Sequence, residues 1–171
     1  MQSGKQLNKK LLVEPEKKPV MTLQLNMEVC MRPAGRERMG FYPLPLAEAD
    51  RIRNFLSFSD QHCSALDPCI GDGAAFTKIT SRGNVSRYGI ELDAFRAEQA
   101  RPFVDEMRQG NCFDVQCPVE SFSLIYLNPP YDFELAQQNS KRMEQLFLEH
   151  TLRWLKPGAP LVFVIPGRRI A

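Results

Sequence analysis

The chain has 171 residues, enough for one domain with a real core and too few for two comfortable ones. Apolar residues make up 43% and charged residues 25%, ordinary globular proportions that exclude collagen-like, membrane-embedded and wholly disordered classes. A net charge of +2 permits a nucleic-acid partner but is too mild to argue for one, so the partner has to be inferred from the site.

Residues 1–30 mix Lys, Gln, Asn and Glu with isolated apolar side chains and read as a polar, mobile leader; residues 31–171 read as the folded domain. The basic, turn-rich stretch "MRPAGRERMGFYPLP" follows, and its Arg32, Arg36 and Arg38 are candidates for holding a phosphate backbone, with a solvated loop as the competing reading. "LAEADRIRNFLSF" carries Leu46, Ala49, Ile52, Arg53 and Leu56 near helical spacing and predicts a helix with one apolar face.

From Cys63 onward strands and helices alternate. "HCSALD" predicts a strand that breaks at the Gly loop "PCIGDGAAF", and "AAFTKITS" a helix. "SRYGIEL" predicts the second strand, followed by a helix from Ala94 to about Met107 and a short third strand at Asn111 to Phe113. "SFSLIYLN" predicts the fourth strand, "SKRMEQLFLEHTLRWLKPG" a helix stopped by Pro157-Gly158, and "APLVFVIP" the fifth strand. This alternation implies an α/β fold, a doubly wound, mostly parallel sheet of Rossmann-like type with helices on both faces. A last strand as apolar as "LVFVI" wants cover on both sides, which is expected from a partner or from a C-terminal region beyond residue 171.

Five cysteines (Cys30, Cys63, Cys69, Cys112 and Cys117) form no CxxC pair, and His62 and His150 complete no ligand spacing, which argues against a metal site or a disulfide framework. No apolar run approaches a membrane span and the N-terminus lacks the apolar core of a signal peptide, so a reducing, cytoplasmic setting with no membrane partner is expected.

In open parallel sheets the ligand sits at the carboxyl ends of the strands. The first strand ends in Asp67 and a loop whose Gly71 and Gly73 permit tight turning and close approach of backbone to a ligand. The second ends in Glu91, about twenty residues on, the spacing at which a carboxylate grips ribose hydroxyls. The third is expected to end in Asn111 and the fourth in Asn128-Pro129-Pro130-Tyr131. Singly these signals are weak, since strand-end acids are commonly helix caps. Together they point to an adenosine-containing cofactor. An NAD-type site is the competitor, but Phe76 stands where the third glycine of G-x-G-x-x-G belongs. Cys69 after Pro68 reads as an incidental thiol, His150 and Trp154 as packing or surface residues, and Tyr88 and Phe95 as core packing beside the second strand end.

The order of segments from about Met39 to the end resembles the class I S-adenosylmethionine-dependent methyltransferases. "NPPY" is similar to the motif of adenine-specific amino-methyltransferases acting on nucleic acids, and also to that of protein glutamine methyltransferases acting on release factors. "GFYPLP" is similar to the segment that packs over the cofactor's methionine end, and the chain as a whole resembles methylase-like proteins of plasmids and other mobile elements. The resemblance implies S-adenosylmethionine as cofactor, with Asp67, Gly71 and Gly73 along its methionine part, Glu91 on the ribose, Leu92 flanking the adenine, and Asn111 where the family usually has Asp. It implies catalysis at Asn128, Pro129, Pro130 and Tyr131: the Asn128 side-chain oxygen and the Pro129 carbonyl accept both hydrogens of a target amine, the prolines hold those acceptors in one conformation, and Tyr131 stacks on the target. DNA is the expected partner ahead of RNA, with the target base flipped or single-stranded. A protein glutamine methyltransferase and an inactive cofactor-binding fragment remain as alternatives. The family usually adds two further strands, so the sequence reads as truncated after the fifth.

Overall fold

Five apolar or edge-type segments assemble into a single parallel sheet. The computed structural model describes residues 41–58, 61–131 and 142–165. Its elements are α1 (Leu46–Phe55), β1 (Cys63–Asp67), α2 (Ala74–Ile79), β2 (Val85–Glu91), α3 (Ala94–Ala100), β3 (Glu106–Gln109), β4 (Leu124–Leu127), α4 (Met143–Thr151) and β5 (Leu161–Phe163). The strand order is β3-β2-β1-β4-β5, with every pairing parallel. Asp67 lies opposite Gly89, and Leu66 opposite Ile125, so the carboxyl ends of β1, β2 and β4 come together where the order reverses. The expected doubly wound α/β sheet is therefore the observed one. The leader, residues 1–30, and the Arg32, Arg36 and Arg38 of the basic stretch after it lie outside the described residues.

Strand periodicity divides the core. Leu124 and Tyr126 of β4 join Ala49 and Ile52 of α1 and Phe76 and Ile79 of α2 on one side of the sheet. Ile125 and Leu127 join Phe147 of α4 and Trp154 on the other. A strand that packs helices on both faces needs consecutive apolar residues, which is why "LIYL" is buried throughout. His150 packs edge-on against Trp154, with ring centroids 5.0 Å apart. Among the described residues, no helix is long and apolar enough to cross a membrane.

The expectations fail around β3. The helix from Ala94 ends at Ala100 instead of near Met107, because Pro102 has no N–H to continue the ladder; a 3-10 turn (Arg101–Phe103) and extended Val104 follow. The third strand is "EMRQ" and not Asn111 to Phe113. It is an edge strand, mostly exposed, so its composition carries no apolar run. Asn111 instead caps a 3-10 turn (Cys112–Asp114) by accepting from the Phe113 N–H. Phe95, expected in the core, is 72% exposed, because α3 buries Ala97 and Ala100 and turns Phe95 outward. Leu46 of α1 is likewise exposed, at the first turn.

Candidate active site

The Gly loop is built by backbone stereochemistry. Gly71 has φ +61° and Gly73 φ +80°, left-handed values that an L side chain adopts only with strain. A Cβ on Gly71 would sit 2.2 Å from Cε2 of Phe41, and one on Gly73 3.2 Å from the Cβ of Ala100. The first glycine thus lets the "FYPLP" segment close over the loop, and the second lets the start of α2 lie against the end of α3. The Ile70 N–H donates to the Ile90 carbonyl (3.0 Å), tying the loop to the end of β2.

Glu91 is buried at that junction. Its Oε2 accepts from the Gly71 N–H (2.9 Å), and its Oε1 accepts from the Asp93 N–H (2.9 Å) and from Arg96 Nη2 (2.8 Å). The guanidinium of Arg96 also lies 5.0 Å from the centre of the Phe41 ring. Among the described residues Gly71 is the donor to Oε2, and a carboxylate oxygen has room for a second hydrogen bond. Sequence reading missed Arg96. The signal was available: Asp93 caps α3 by accepting from the Arg96 N–H (2.9 Å), and helical side chains lean toward the N-terminus, which returns this guanidinium to the strand end.

Asp67, at the end of β1, is 1% exposed. Burial pushes its carboxyl well above the usual range, against the lowering effect of the Cys69 N–H it accepts from (3.0 Å), and the charge of Glu91 adds to the rise. A proton held more tightly in the folded than in the unfolded chain favours folding below the unfolded pKa, and that contribution is lost as pH rises through the folded pKa. Asp67→Asn keeps an oxygen for the Cys69 N–H and cannot ionise. Its melting temperature relative to wild type is therefore expected to improve steadily as pH is raised from about 4, the ordinary carboxylate value. A constant difference across thermal melts at acidic and neutral pH would contradict this account of Asp67.

Burial likewise raises the Cys69 thiol, with Asp67 and Cys112 adding to it, and raises Cys112 to about 12. Both line the cavity as neutral thiols, poor nucleophiles.

At the end of β4, the Asn128 Nδ2 donates to the Tyr42 carbonyl (2.9 Å), which orients the amide, and its Oδ1 accepts from the Tyr131 hydroxyl. That hydroxyl also lies 3.2 Å from the Val164 carbonyl oxygen, and its ring packs against Tyr42 with centroids 5.9 Å apart. Burial, with Cys69 and Glu144 adding, raises the Tyr131 pKa and keeps the phenol neutral. In this conformation the ring expected to stack on a target faces the "FYPLP" segment, and the acceptor expected to receive the target amine is held by Tyr131.

A cavity of about 530 Å³ joins these ends. Asp67, Glu91, Leu92, Asn111, Asn128 and Pro130 line it, and Gly71, Gly73, Pro129 and Tyr131 are the chain neighbours of lining residues. Phe41 to Leu46 form a further side.

A five-stranded parallel sheet in this order, with helices on both faces, matches the Rossmann-like class I S-adenosylmethionine-dependent methyltransferase fold. A Listeria monocytogenes protein assigned to that class superposes with TM-score 0.56 at 16% identity, over 72% of this chain and 43% of its own. Geranyl diphosphate C-methyltransferase from Streptomyces coelicolor A3(2), solved with S-adenosyl-L-homocysteine, gives TM-score 0.52 at 20% identity, over 68% of this chain and 44% of its own. An RNA methyltransferase from Salinibacter ruber, also solved with S-adenosyl-L-homocysteine, gives TM-score 0.53 at 20% identity, over 76% of this chain and 82% of its own. This chain thus spans less than half the length of the first two. At such identities the likeness carries the fold alone.

Residues 5–171 match the Uncharacterised methyltransferase family (DUF6094), and the chain belongs to that family. No curated protein matches the sequence. S-adenosylmethionine is the cofactor of the class, and the cavity suits it: its volume lies within the roughly 300–1,000 Å³ of small-molecule sites, and its carboxyl-bearing, aromatic wall suits a cationic sulfonium.

Proposed function

We propose that this chain is an amino-methyltransferase that moves a methyl group from S-adenosylmethionine to the exocyclic amine of adenine in DNA, with RNA as the second substrate class. The observation that carries the reading is that Asn128 and Pro130 line the same cavity as Asp67 and Glu91. When bound, the cofactor would supply an electrophilic methyl group, leaving as the thioether S-adenosyl-L-homocysteine, while the methylated nitrogen gives up one proton to solvent.

The chain's own residues have to make a poor nucleophile better. An exocyclic amine is weakly nucleophilic because its lone pair is delocalised into the ring. The Asn128 Oδ1 and the Pro129 carbonyl accept the two amine hydrogens and favour a geometry that frees the lone pair. Tyr42 holds the amide from the other side, so the oxygen and not the nitrogen is presented. The Tyr131 hydroxyl occupies the acceptor at rest, and an arriving amine displaces it, turning the ring out to stack and exclude water. This is catalysis by positioning and electrostatics, without a covalent nucleophile. Glu91 Oε2 accepts from the ribose, Leu92 borders the adenine, and Asn111 stands near the adenine amine. Asp67, Gly71 and Gly73 follow the methionine part.

The test is a transfer assay with labelled S-adenosylmethionine, offering DNA, RNA and protein pools in parallel, with cofactor binding measured on the same sample. Methylated adenine in DNA is the expected product. RNA enters the test because the Salinibacter ruber structural neighbour is an RNA methyltransferase. Label only on glutamine in protein would overturn the substrate reading, and cofactor binding without label would point to a chain that needs a partner or recognition region.

A further inference from the structure

Tyr126 is left unused by this mechanism. It lies in β4, two residues before Asn128, and is 2% exposed. Its ring lies near-parallel to Phe76 of α2, with centroids 6.3 Å apart, which places the phenol on the side of the sheet that carries the Gly loop and α2. It lines the cavity, and among the described residues its hydroxyl has no hydrogen-bond partner. A buried tyrosine hydroxyl ordinarily finds one, and phenylalanine would fill the same space without the cost of an unmet polar group. An orphaned hydroxyl in a ligand cavity calls for a ligand atom.

The surroundings select that atom. Burial, and then Asp67, Cys69, Tyr131 and Asp72, raise the pKa of the hydroxyl, so it stays neutral and its oxygen remains an acceptor. Asp72, a second carboxyl on the cavity lining, attracts a cation. The cofactor carries two cationic groups, a sulfonium that has no hydrogen to donate and an α-ammonium that has three. Only the ammonium matches both the charge and the acceptor.

We propose that Tyr126 is a further cofactor-binding residue whose hydroxyl oxygen accepts from the α-ammonium group of the methionine tail, with Asp72 on the same cavity supplying the compensating charge. This rests on the reading above that S-adenosylmethionine occupies the cavity. It gives the fourth strand two tasks, one at Asn128 for the target and one at Tyr126 for the cofactor.

The experiment is calorimetric titration of the full chain and of Tyr126→Phe with two ligands, S-adenosylmethionine and 5′-methylthioadenosine, which keeps the adenosine and lacks the amino-acid tail. The variant is expected to bind S-adenosylmethionine about tenfold more weakly, the worth of one hydrogen bond to a charged group. Its affinity for 5′-methylthioadenosine is expected to be unchanged, and its unliganded melting temperature no lower than wild type, because no internal bond is lost. Unchanged affinity for S-adenosylmethionine would overturn the assignment. So would an equal loss for both ligands, which would mark Tyr126 as packing. If wild type bound neither ligand, the cofactor reading would fall first and this inference with it.

Discussion

Replacing Asn128 by alanine is expected to lower methyl transfer by at least about 100-fold, the usual cost of removing one preorganised group aimed at the reacting centre, while S-adenosylmethionine affinity stays within about twofold. The amide stands at the end of β4, and its two internal hydrogen bonds, to the Tyr42 carbonyl and from the Tyr131 hydroxyl, are neutral and only partly buried. Losing them costs about 1 kcal/mol each, too little to unfold the domain. The core beneath, Ile125 and Leu127 on one face and Leu124 and Tyr126 on the other, is untouched. Turnover at saturating cofactor, read beside direct binding, separates the two effects. Equal loss of turnover and affinity would show that Asn128 holds the cofactor or the fold, and the assigned role would fail.

Glu91→Ala is expected to act on the fold before it acts on the cofactor. The carboxylate is 6% exposed and its partner Arg96 14% exposed, so the substitution breaks a buried ion pair and removes the acceptor of the Gly71 and Asp93 N–H groups. Truncating one member of such a pair costs about 3 kcal/mol. For a domain of this size that is a fall in melting temperature of about 10 °C. At a temperature where the variant remains folded, S-adenosylmethionine affinity is expected to drop about tenfold further, the worth of a ribose hydroxyl bond to a carboxylate. An unchanged melting temperature would contradict the buried pair, and unchanged affinity in the folded variant would remove Glu91 from the cofactor site. From the sequence alone Glu91 looks like a free ligand group. Its internal contacts make it the clasp of the Gly loop as well, and a substitution there tests both roles at once.

Legibility followed the physical origin of each element. β4 and β5 are short apolar runs between turn residues, and the burial of β4 on both faces is written in consecutive side chains; β1 and β2 mix polar with apolar residues and are marked by the turns that follow them. β3 is an edge strand of "EMRQ", whose pairing with β2 is made by backbone groups that no side-chain pattern reports. Pro102 could have announced the early end of α3, and Asp93 the return of Arg96 to the strand end. The capping of a 3-10 turn by Asn111 is an ordinary local role, since the strand before it already ends at Gln109.

Local stereochemistry and side-chain periodicity were enough to define the α/β alternation, the left-handed glycines of the loop and the polar residues at the strand ends, because each depends on residues a few positions apart. Strand order and the filling of each acceptor depended on contacts across the chain. Gly71 meets Glu91 20 residues away, and Asn128 meets the Tyr42 carbonyl 86 residues away. Packing brings such partners together only when the sheet is assembled, so the clasp on Glu91, the hydroxyl resting on Asn128 and the Tyr126 hydroxyl left without a partner among the described residues became visible only in three dimensions.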